Sequence, residues 1–538
     1  EGLWLVIQRE EVAELLHQVR TLKGLFGAAE GNEVLRGELL KICEHAYAIL
    51  PAMPSDGYDG EGVRAANAIL SREIAGISLR GDSRYCRVGL IGHSHLDTAW
   101  LWPVEETKHK LARTVTNAVR LLNEYPEYKF LLSSAVYLKW LAECYPSLYS
   151  QVKPMIRLGR LEVNGATYVE CDCNLPSGES LVRQFLRGQS LFQACTGRLS
   201  DCFWLPDTFG YSASLPQIMQ GCGVRYFYTT KLSWNELNRF PYESFLWEGI
   251  DGTRVTAHFN TTQVYPDAAC IRDSGDRLQN RHLSARALAA YGYGDGGGGP
   301  DRGMVRTALE TSRLFGEEKV CHTTVSGFMR ELEQDPLPVY SGELYLELHR
   351  GTYTSQHRIK RAHRELEIAF RSAEMLAALT GKGRQCKPEL NEILDVLLLH
   401  EFHDILPGTC IECVNREAVS AMDEAAERCW DLIAGVTPGG ESYLFNPLSF
   451  DYEGYAEIPD RTCACTNLKG EACSVVRVRI PAFGSIPLSN CVGSREEIPF
   501  VLQDDELLTP IYRVRFNERM EIISLTDRKT GLEFVGSN

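Results

Sequence analysis

Residues Cys86–Pro103 read CRVGLIGHSHLDTAWLWP and carry the clearest structural and chemical signals in the chain. The run Val88–Ile91 is short and apolar, which is typical of a strand buried on both faces of a sheet. Gly92 ends this run, and a polar segment begins directly after it. The pattern predicts a buried strand that opens an α/β domain.

Three side chains that can bind a metal follow at alternate positions: His93, His95 and Asp97. Alternate side chains of an extended chain point to the same side, so all three could reach one pocket at the carboxyl end of a strand. Two imidazoles and a carboxylate suit a divalent ion such as zinc. The alternative is that the histidines are hydrogen-bonded core or loop residues. A metal or catalytic site is favoured, because the three residues close an apolar strand.

Length, charge and cysteine content restrict the class of protein. A chain of 538 residues is too long for one hydrophobic core, so several domains are expected. The net charge of −15 argues against nucleic acid and anionic membranes as partners, and no apolar run approaches the length of a membrane span. Most of the 18 scattered cysteines are interpreted as free thiols in a reducing compartment, which predicts a cytoplasmic location. The chain begins without methionine, and we expect residues to be missing at both ends.

Hydrophobic periodicity predicts a multidomain α/β chain with four parts. Residues 1–84 form an N-terminal helical accessory region, because leucines recur at helical spacing. Residues 85–340 alternate strands and helices, which predicts a barrel-like β/α catalytic domain with parallel strands. Residues 341–437 form a three-helix bundle that contributes to the active site. Residues 438–538 contain short alternating strands and are interpreted as the start of a C-terminal β-sandwich.

Further candidate residues lie at the ends of other predicted elements. Asp207 and Lys231 follow strands, where parallel sheets place their functional residues. Asp295 opens a run of four glycines, which allows close approach of backbone to a ligand; a flexible surface linker is the alternative. His403 and Asp404 end an apolar helix, and a metal is one candidate partner for them, although helix capping or an exposed helix-end histidine is the more common case.

From these residues alone we infer a hydrolase that uses a metal and carboxylates. A metal-dependent amidohydrolase or deacetylase is one alternative, since it also begins with His-x-His after a strand. It would need further strand-end histidines, and among the others only His258 is well placed. A non-catalytic carbohydrate-binding protein is the second alternative, but it leaves His403 and Asp404 unexplained.

Seven motifs stand in order along the chain: HSHLDTAWLWP at 93–103, NLPSGE at 174–179, WLPDTFGYS at 204–212, KLSWN at 231–235, GDGGGGP at 294–300, HRGTYT at 349–354 and FHDILPGT at 402–409. In sequence and in order they resemble the α-mannosidases of glycoside hydrolase family 38, most closely the cytosolic, neutral or cobalt-activated branch. The resemblance runs from about Arg87 to the end of the chain. The number of motifs and their common order argue against coincidence.

The resemblance implies a retaining exo-α-mannosidase with one zinc ion, or cobalt in its place. The substrates implied are free glycans or glycoprotein N-glycans that carry terminal α-D-mannose. The metal ligands would be His95, Asp97, Asp207 and His403, with His93 only a neighbour. Asp207 would also be the nucleophile, and Asp295 would be the general acid and base, as a double displacement requires.

The resemblance also assigns residues to the substrate. Trp100 would stack on the sugar face, Phe209 would wall the pocket, and Asp404 would bind sugar hydroxyls. Lys231 stands where other branches carry arginine, and it would hold a substrate hydroxyl or the nucleophile differently. A mannose-containing oligosaccharide is therefore the expected partner, while nucleic acid and membrane are not. Homo-oligomer formation is left open.

Overall fold

The computed structural model of the chain describes residues 9–50, 60–80, 82, 85–260, 262–437, 442–459, 472–491 and 500–535. The chain divides into two compact units. The first consists of Glu1–Ala377 and Gly381–Ala434, and the second of Ala378–Thr380 and Gly435–Asn538. Among the described helices, none is both long enough and apolar enough to cross a bilayer.

The first unit begins with three helices, α1 (Glu10–Ala28), α2 (Glu33–Tyr47) and α3 (Gly60–Gly76). Asn32 caps α2, because its side chain accepts a hydrogen bond from the amide of Leu35 at 3.2 Å. Leucines on the inner faces of the helices are buried, among them Leu25, Leu39 and Leu70. Burial of one amphipathic face per helix holds this region together.

From residue 85 onward, strands and helices alternate in the order β1 (Arg87–His93), α4 (Val104–Glu124), β2 (Phe130–Leu132), α5 (Ala135–Cys144), α6 (Pro146–Arg157), β3 (Leu161–Val163), α7 (Gly178–Thr196), β4 (Cys202–Trp204), α8 (Leu215–Gly221), β5 (Tyr226–Thr229), β6 (Ser244–Glu248), β7 (Arg254–Phe259), β8 (Thr262–Val264), α9 (Ala268–Arg277), β9 (Arg286–Tyr291), α10 (Arg302–Phe315), β10 (Val320–His322), α11 (Val325–Leu332) and β11 (Val339–Ser341). One-turn 3₁₀ helices span Lys231–Trp234 and Arg350–Tyr353.

These strands form two sheets. The first has the order β3-β2-β1-β9-β8, with β10 paired to β1, and all its pairs are parallel. The second has the order β11-β6-β7-β5-β4, and only its β6–β7 pair is antiparallel. The prediction of an α/β fold with parallel strands is confirmed. β1 is buried on both faces beyond Arg87, as its apolar run predicts.

One hydrophobic core joins the inner faces of the two sheets. Ile91 and Leu288 from the first sheet meet Trp204 and Tyr228 from the second, and α11 adds Phe328. The rings of Trp204 and Tyr228 stack with centroids 3.8 Å apart. Removing such a ring, as in Trp204→Ala, costs about 3–5 kcal/mol in a packed core. The core therefore fixes the strand ends, including the end of β4 that leads to Asp207.

Three long helices complete the first unit: α12 (His357–Leu379), α13 (Gly383–His400) and α14 (Glu412–Val436). Arg428 of α14 pairs with Glu389 and Glu392 of α13, at 3.2 and 3.0 Å. The predicted three-helix segment is confirmed. α13 ends just before the segment that carries His403.

The second unit is antiparallel, as predicted. Its strands are β12 (Tyr443–Phe445), β13 (Tyr452–Pro459), β14 (Cys473–Ile480), β15 (Ser485–Pro487), β16 (Val501–Gln503), β17 (Glu506–Leu508), β18 (Tyr512–Phe516) and β19 (Ile522–Asp527). In β14 the apolar residues Val476 and Val478 are buried, while Arg477 and Arg479 between and beyond them are exposed. This alternation is that of a half-buried strand.

Candidate functional site

The chain leaves the first sheet at His93. The end of the strand determines which of the side chains of His93, His95 and Asp97 lie near the pocket. His93 is the last residue of β1, and its Nδ1 donates to the carbonyl oxygen of Leu131 at 3.3 Å. Its ring lies against Trp204, and burial lowers the pKa of His93 to about 4. Because the strand ends here, the alternation of an extended chain does not continue. His93 faces the core, while Asp97 lines the cavity and the buried His95 contacts Asp97.

The four predicted metal ligands converge. The Nε2 atom of His95 lies 3.0 Å from Oδ1 of Asp97. The Nε2 atom of His403 lies 3.6 Å from Oδ1 of Asp97 and 4.0 Å from Oδ2 of Asp207. His95, Asp207 and His403 each offer one ligand atom within 4.8 Å of the other two. Two ligands that each lie about 2.1 Å from zinc are at most about 4.2 Å apart, so these separations suit one ion with little movement.

The polar atoms of this cluster are buried without hydrogen-bond partners. Among the described residues, none pairs in acceptable geometry with Nε2 of His95, Oδ1 of Asp97 or Nε2 of His403. An unpaired buried polar group costs about 1–3 kcal/mol. One cation among these atoms would satisfy all of them, so the residues present fit a bound metal.

The charges lead to the same conclusion. Burial lowers the pKa of His95, but the carboxylates of Asp97 and Glu170 outweigh burial and raise that pKa well above its usual value. Burial raises the pKa of Asp97, but His95 and His403 outweigh it and hold the pKa well below its usual range. Carboxylates that are buried in this way favour positive charge between them, which a divalent cation supplies.

Glu170 orients both histidines, and the sequence analysis did not assign it to the site. Its backbone oxygen accepts from Nδ1 of His403 at 2.8 Å, which directs Nε2 of His403 to the cluster. Its carboxylate Oε2 lies 3.2 Å from Nδ1 of His95, and Oε1 accepts from Ser133 at 2.7 Å. The hydrogen bond to His403 sets the tautomer of that histidine, whereas the contact with His95 lacks hydrogen-bond geometry and holds that ring through charge. The position of Glu170 after β3 was the only sequence signal for it.

Asp97 and Asp207 of this cluster line a cavity of 350 Å³, while His95 and His403 are buried beside them. The lining includes every residue that was predicted to act on the substrate: Trp100, Asp207, Phe209, Lys231, Asp295 and Asp404. The structure thus brings together residues from both the α/β part and the helical part of the first unit.

Lys231 holds Asp207 in place. Its Nζ donates to Oδ1 of Asp207 at 2.7 Å, and the lysine is buried while the Asp207 side chain is 32% exposed. The ammonium also lies over the ring of Trp234 at 3.9 Å and that of Phe209 at 5.0 Å. The second oxygen of Asp207 is directed toward His403, so the carboxylate lies between the cluster and the open cavity.

Asp295 reaches the cavity from the glycine run. It has a left-handed backbone with φ of 48°, and its Oδ1 accepts from Gln263 at 2.9 Å. One of its oxygens lies within 4.8 Å of ligand atoms of His95 and Asp97. Gly296, with φ of 76°, donates its amide to the carbonyl oxygen of His95 at 3.0 Å. The run therefore packs against the loop that carries His95, which the linker alternative did not anticipate.

Asp404 and several unpredicted residues complete the wall. Burial raises the pKa of Asp404 to about 6, and Thr409 donates its hydroxyl to the carboxylate. His349 lies with its ring 4.5 Å from that of Phe209. Thr409, His349, Trp234 and Gln263 also line the cavity. The first three belong to motifs quoted above but were given no role, and Gln263 lies in none of those motifs.

His258, the residue on which the amidohydrolase alternative depended, lies in β7 of the second sheet, and its ring contacts both sheets. Its Nδ1 lies 2.9 Å from the hydroxyl of Ser244, and its Nε2 accepts from the amide of Leu288 at 3.2 Å. Burial lowers its pKa to about 3. Both ring nitrogens are therefore occupied, and His258 is no metal ligand.

Two family profiles match the first unit. Residues 86–343 match the glycosyl hydrolases family 38 N-terminal domain, and residues 347–436 match the alpha mannosidase middle domain. Alpha-mannosidase 2C1 of Homo sapiens is 36% identical, over 99% of this chain and 52% of its own length. The alpha-mannosidase of Saccharomyces cerevisiae is 37% identical, over 70% of this chain and 38% of its own length. The chain spans about half the length, or less, of these curated relatives.

Solved structures show the same fold. An alpha-mannosidase from Enterococcus faecalis V583 superposes with a TM-score of 0.65 at 18% identity. The match covers 84% of this chain and 61% of that chain. At this identity the likeness supports the fold, while the family rests on the sequence matches.

Proposed function

The chain belongs to glycoside hydrolase family 38, and on that basis we propose that it is a retaining exo-α-mannosidase. It would remove terminal α-D-mannose from free glycans or glycoprotein N-glycans. One observation carries the proposal: the ligand atoms of His95, Asp207 and His403 converge beside a cavity that Asp207, Asp295 and Trp100 line.

We assign the metal to His95, Asp97, Asp207 and His403. Zinc is the proposed ion, with cobalt as the alternative, because imidazole and carboxylate suit such ions. A bound ion would act as a Lewis acid toward sugar hydroxyls and favour distortion of the ring. Glu170 serves this site from outside by orienting the two histidines.

Asp207 is the proposed nucleophile. Its carboxylate is exposed to the cavity, and Lys231 holds one oxygen through a hydrogen bond of 2.7 Å. Attack on the anomeric carbon forms a glycosyl ester and releases the leaving group. Water then cleaves the ester, and two displacements give net retention.

Asp295 is the proposed acid and base. It protonates the leaving oxygen in the first step and takes a proton from water in the second. Its exposure allows exchange of protons with solvent, and Gln263 fixes the direction of its carboxyl group.

The remaining cavity residues would recognise mannose. Trp100 offers an apolar ring to the C–H face of the sugar, and buried Phe209 forms the wall behind it. Asp404 would accept hydrogen bonds from sugar hydroxyls, since its carboxylate lines the cavity beside the cluster. These contacts make a pocket suited to one terminal sugar.

The test is hydrolysis of a nitrophenyl α-mannoside, with the matched α-glucoside as control. NMR should show α-mannose as the first product, and removal of metal should abolish turnover, with zinc or cobalt restoring it. Turnover by protein that elemental analysis shows to be free of metal would contradict the metal assignment. Initial release of β-mannose would contradict retention.

The cytoplasmic location remains our proposal. It rests on the cysteines, since those in the described residues are free thiols. The triplet Asn260-Thr261-Thr262 is an N-glycosylation sequon, which secreted proteins use. It does not oppose a cytoplasmic location, because the Asn260 side chain is buried and donates to the carbonyl oxygen of Leu288 at 2.7 Å. Labelling the thiols of protein taken directly from cells would test it.

A further inference from the structure

β8, the strand that carries Gln263, is fixed weakly by its own sheet. It has three residues and lies at the edge of the first sheet, where it pairs with β9 alone among the strands of the described residues. The pairing is irregular between Thr262 and Val264, and Gln263 between them has a left-handed backbone with φ of 62°. A non-glycine residue keeps that conformation only where its surroundings hold it. Because Gln263 donates to Asp295 at 2.9 Å, whatever holds this segment also directs the proposed acid and base.

The segment after Gln263 is also held by two helices. The carbonyl oxygen of Pro266 accepts from the hydroxyl of Thr311, in α10, at 2.9 Å. Asp267 begins α9, and its side chain accepts from the amide of Cys270 at 3.0 Å. These bonds fix the segment to the side of α10 and to the first turn of α9. The position of Gln263 therefore depends on where α9 and α10 lie.

α1, the first helix of the N-terminal region, packs against the start of α9. A Cβ atom added at Gly24 would lie 2.7 Å from Cβ of Asp267, and one added at Gly27 would lie 2.7 Å from Cβ of Ala269. Any side chain larger than that of glycine would clash there, so the two helices are in close contact. Arg272 of α9 donates to the carbonyl oxygen of Gly27 at 2.5 Å, which ties the two helices together.

α1 also reaches α10, the helix that follows the glycine run of Asp295. Glu14 of α1 pairs with Arg306 of α10 at 2.5 Å. Asp301, the residue that caps the start of α10, comes directly after the glycine-rich segment. In the chain, α9 follows Gln263 and α10 follows Asp295. α1 therefore contacts the helix behind each partner of the hydrogen bond that directs the acid and base.

We propose that α1 is a positioning element for the proposed acid and base. Its contacts with α9 and α10 hold the segment that carries Gln263, and Gln263 directs the carboxyl group of Asp295. The inference rests on the proposed function, in which Asp295 transfers the proton. α1 supplies no reacting group, and it lies outside both matched family profiles. Displacement of a positioned group by about 1 Å can cost about a hundredfold in rate, so a distant helix can affect the reaction.

The experiment is Gly24→Ala, with Gly37→Ala of α2 as the control. The Cβ added at Gly24 must push Asp267 and the start of α9 away, whereas a Cβ at Gly37 meets nothing within 4 Å. The measurement compares kcat/KM for an α-mannobiose with kcat/KM for a dinitrophenyl α-mannoside. In Gly24→Ala the ratio of the first to the second should fall about tenfold, because only the mannobiose needs the proton that Asp295 supplies. The control should leave the ratio unchanged.

A second variant tests whether the effect passes through Gln263. Gln263→Ala should lower the ratio by itself, because Asp295 loses its partner. Adding Gly24→Ala to Gln263→Ala should lower the ratio no further, since both changes act on one contact. Losses that are independent and multiply would show that α1 acts by another route, and would overturn the proposal.

An unchanged ratio in Gly24→Ala, or an equal fall in Gly37→Ala, also overturns the role of α1. A melting curve shows whether each variant is folded. If Gly24→Ala does not fold, Arg272→Met replaces it, because this change removes the bond to Gly27 without adding bulk between the helices. The ratio should then fall about threefold, less than for the loss of a direct contact with Asp295. An unchanged ratio in Arg272→Met overturns the proposal.

Failure of the proposed function is recognised separately. Unmodified protein that cleaves neither substrate contradicts the function, and an unchanged ratio in Asp295→Ala contradicts the assignment of Asp295. In either case hydrogen exchange decides the role of α1 alone. Peptides that span 262–267 and 293–299 should exchange faster in Gly24→Ala than in Gly37→Ala, because their support is displaced. Equal exchange in the two variants overturns the role of α1.

Discussion

Glu170 offers the sharpest test of how the site is held. Glu170→Gln keeps the shape of the side chain and leaves the backbone oxygen that accepts from His403. It removes the charge that lies 3.2 Å from Nδ1 of His95. The contact lacks hydrogen-bond geometry and acts through charge; loss of a partner that supports a metal-binding histidine changes metal affinity by about 10–100-fold, and the lower end applies because glutamine keeps the shape of the side chain. We therefore expect a loss of about 1.4 kcal/mol in metal binding, or about tenfold in Kd.

The assay is titration of the metal-free protein with zinc in a competing chelator buffer. Glu162→Gln is the matched control. The Glu162 carboxylate also accepts from neighbouring groups, the amides of Val325 and Ser326, but it lies in no metal-capable cluster among the described residues. The control should lower the melting temperature and leave the metal Kd unchanged. A metal Kd for Glu170→Gln within twofold of the unmodified protein, or an equal loss in Glu162→Gln, would refute the reasoning.

Three further predictions concern the reaction. Asp207→Asn should remove nearly all turnover, since an amide cannot form the glycosyl ester. In the unmodified protein, a mechanism-based fluoro-sugar should label a peptide that spans Trp204–Phe209. Label on another carboxylate would contradict the assignment. Asp295→Ala should slow mannosides with poor leaving groups far more than a dinitrophenyl mannoside, with azide restoring turnover; equal slowing without azide rescue would show a structural role. Lys231→Met should lower kcat/KM by about tenfold to a thousandfold, because it leaves Asp207 without its charged partner. Lys231→Arg keeps the charge and should retain more activity. Equal losses in the two variants would argue against the ion pair.

Local pattern was sufficient for much of the fold. Strand β1 follows from an apolar run with a glycine at its end, because burial on both faces requires apolar side chains at every position. The alternation in β14 follows from the period of a strand, with Val476 and Val478 inside. The grouping of parallel strands into two sheets was not predicted, since pairing depends on residues far apart in the chain.

The family motifs identified more residues of the candidate site than the local sequence patterns did. They named His95, Asp97, Asp207 and His403, and the structure places these residues around one point. They also placed His93 outside the ligand set, although the alternation of the sequence placed it inside. The alternation misled because it applies only to extended chain, and β1 ends at His93.

Other parts of the site exist only in three dimensions. Glu170 orients His403 across 233 positions of sequence, and no spacing rule connects them. Gln263 matters because it meets Asp295, and Trp234 because it lies under Lys231. Residue types and short spacings indicate which chemistry a chain can perform, because the residues of a motif or a strand end are neighbours in the sequence. Long-range packing of the sheets and helices decides which charges face one another and which residues share a cavity. The information for that packing is spread over the whole chain.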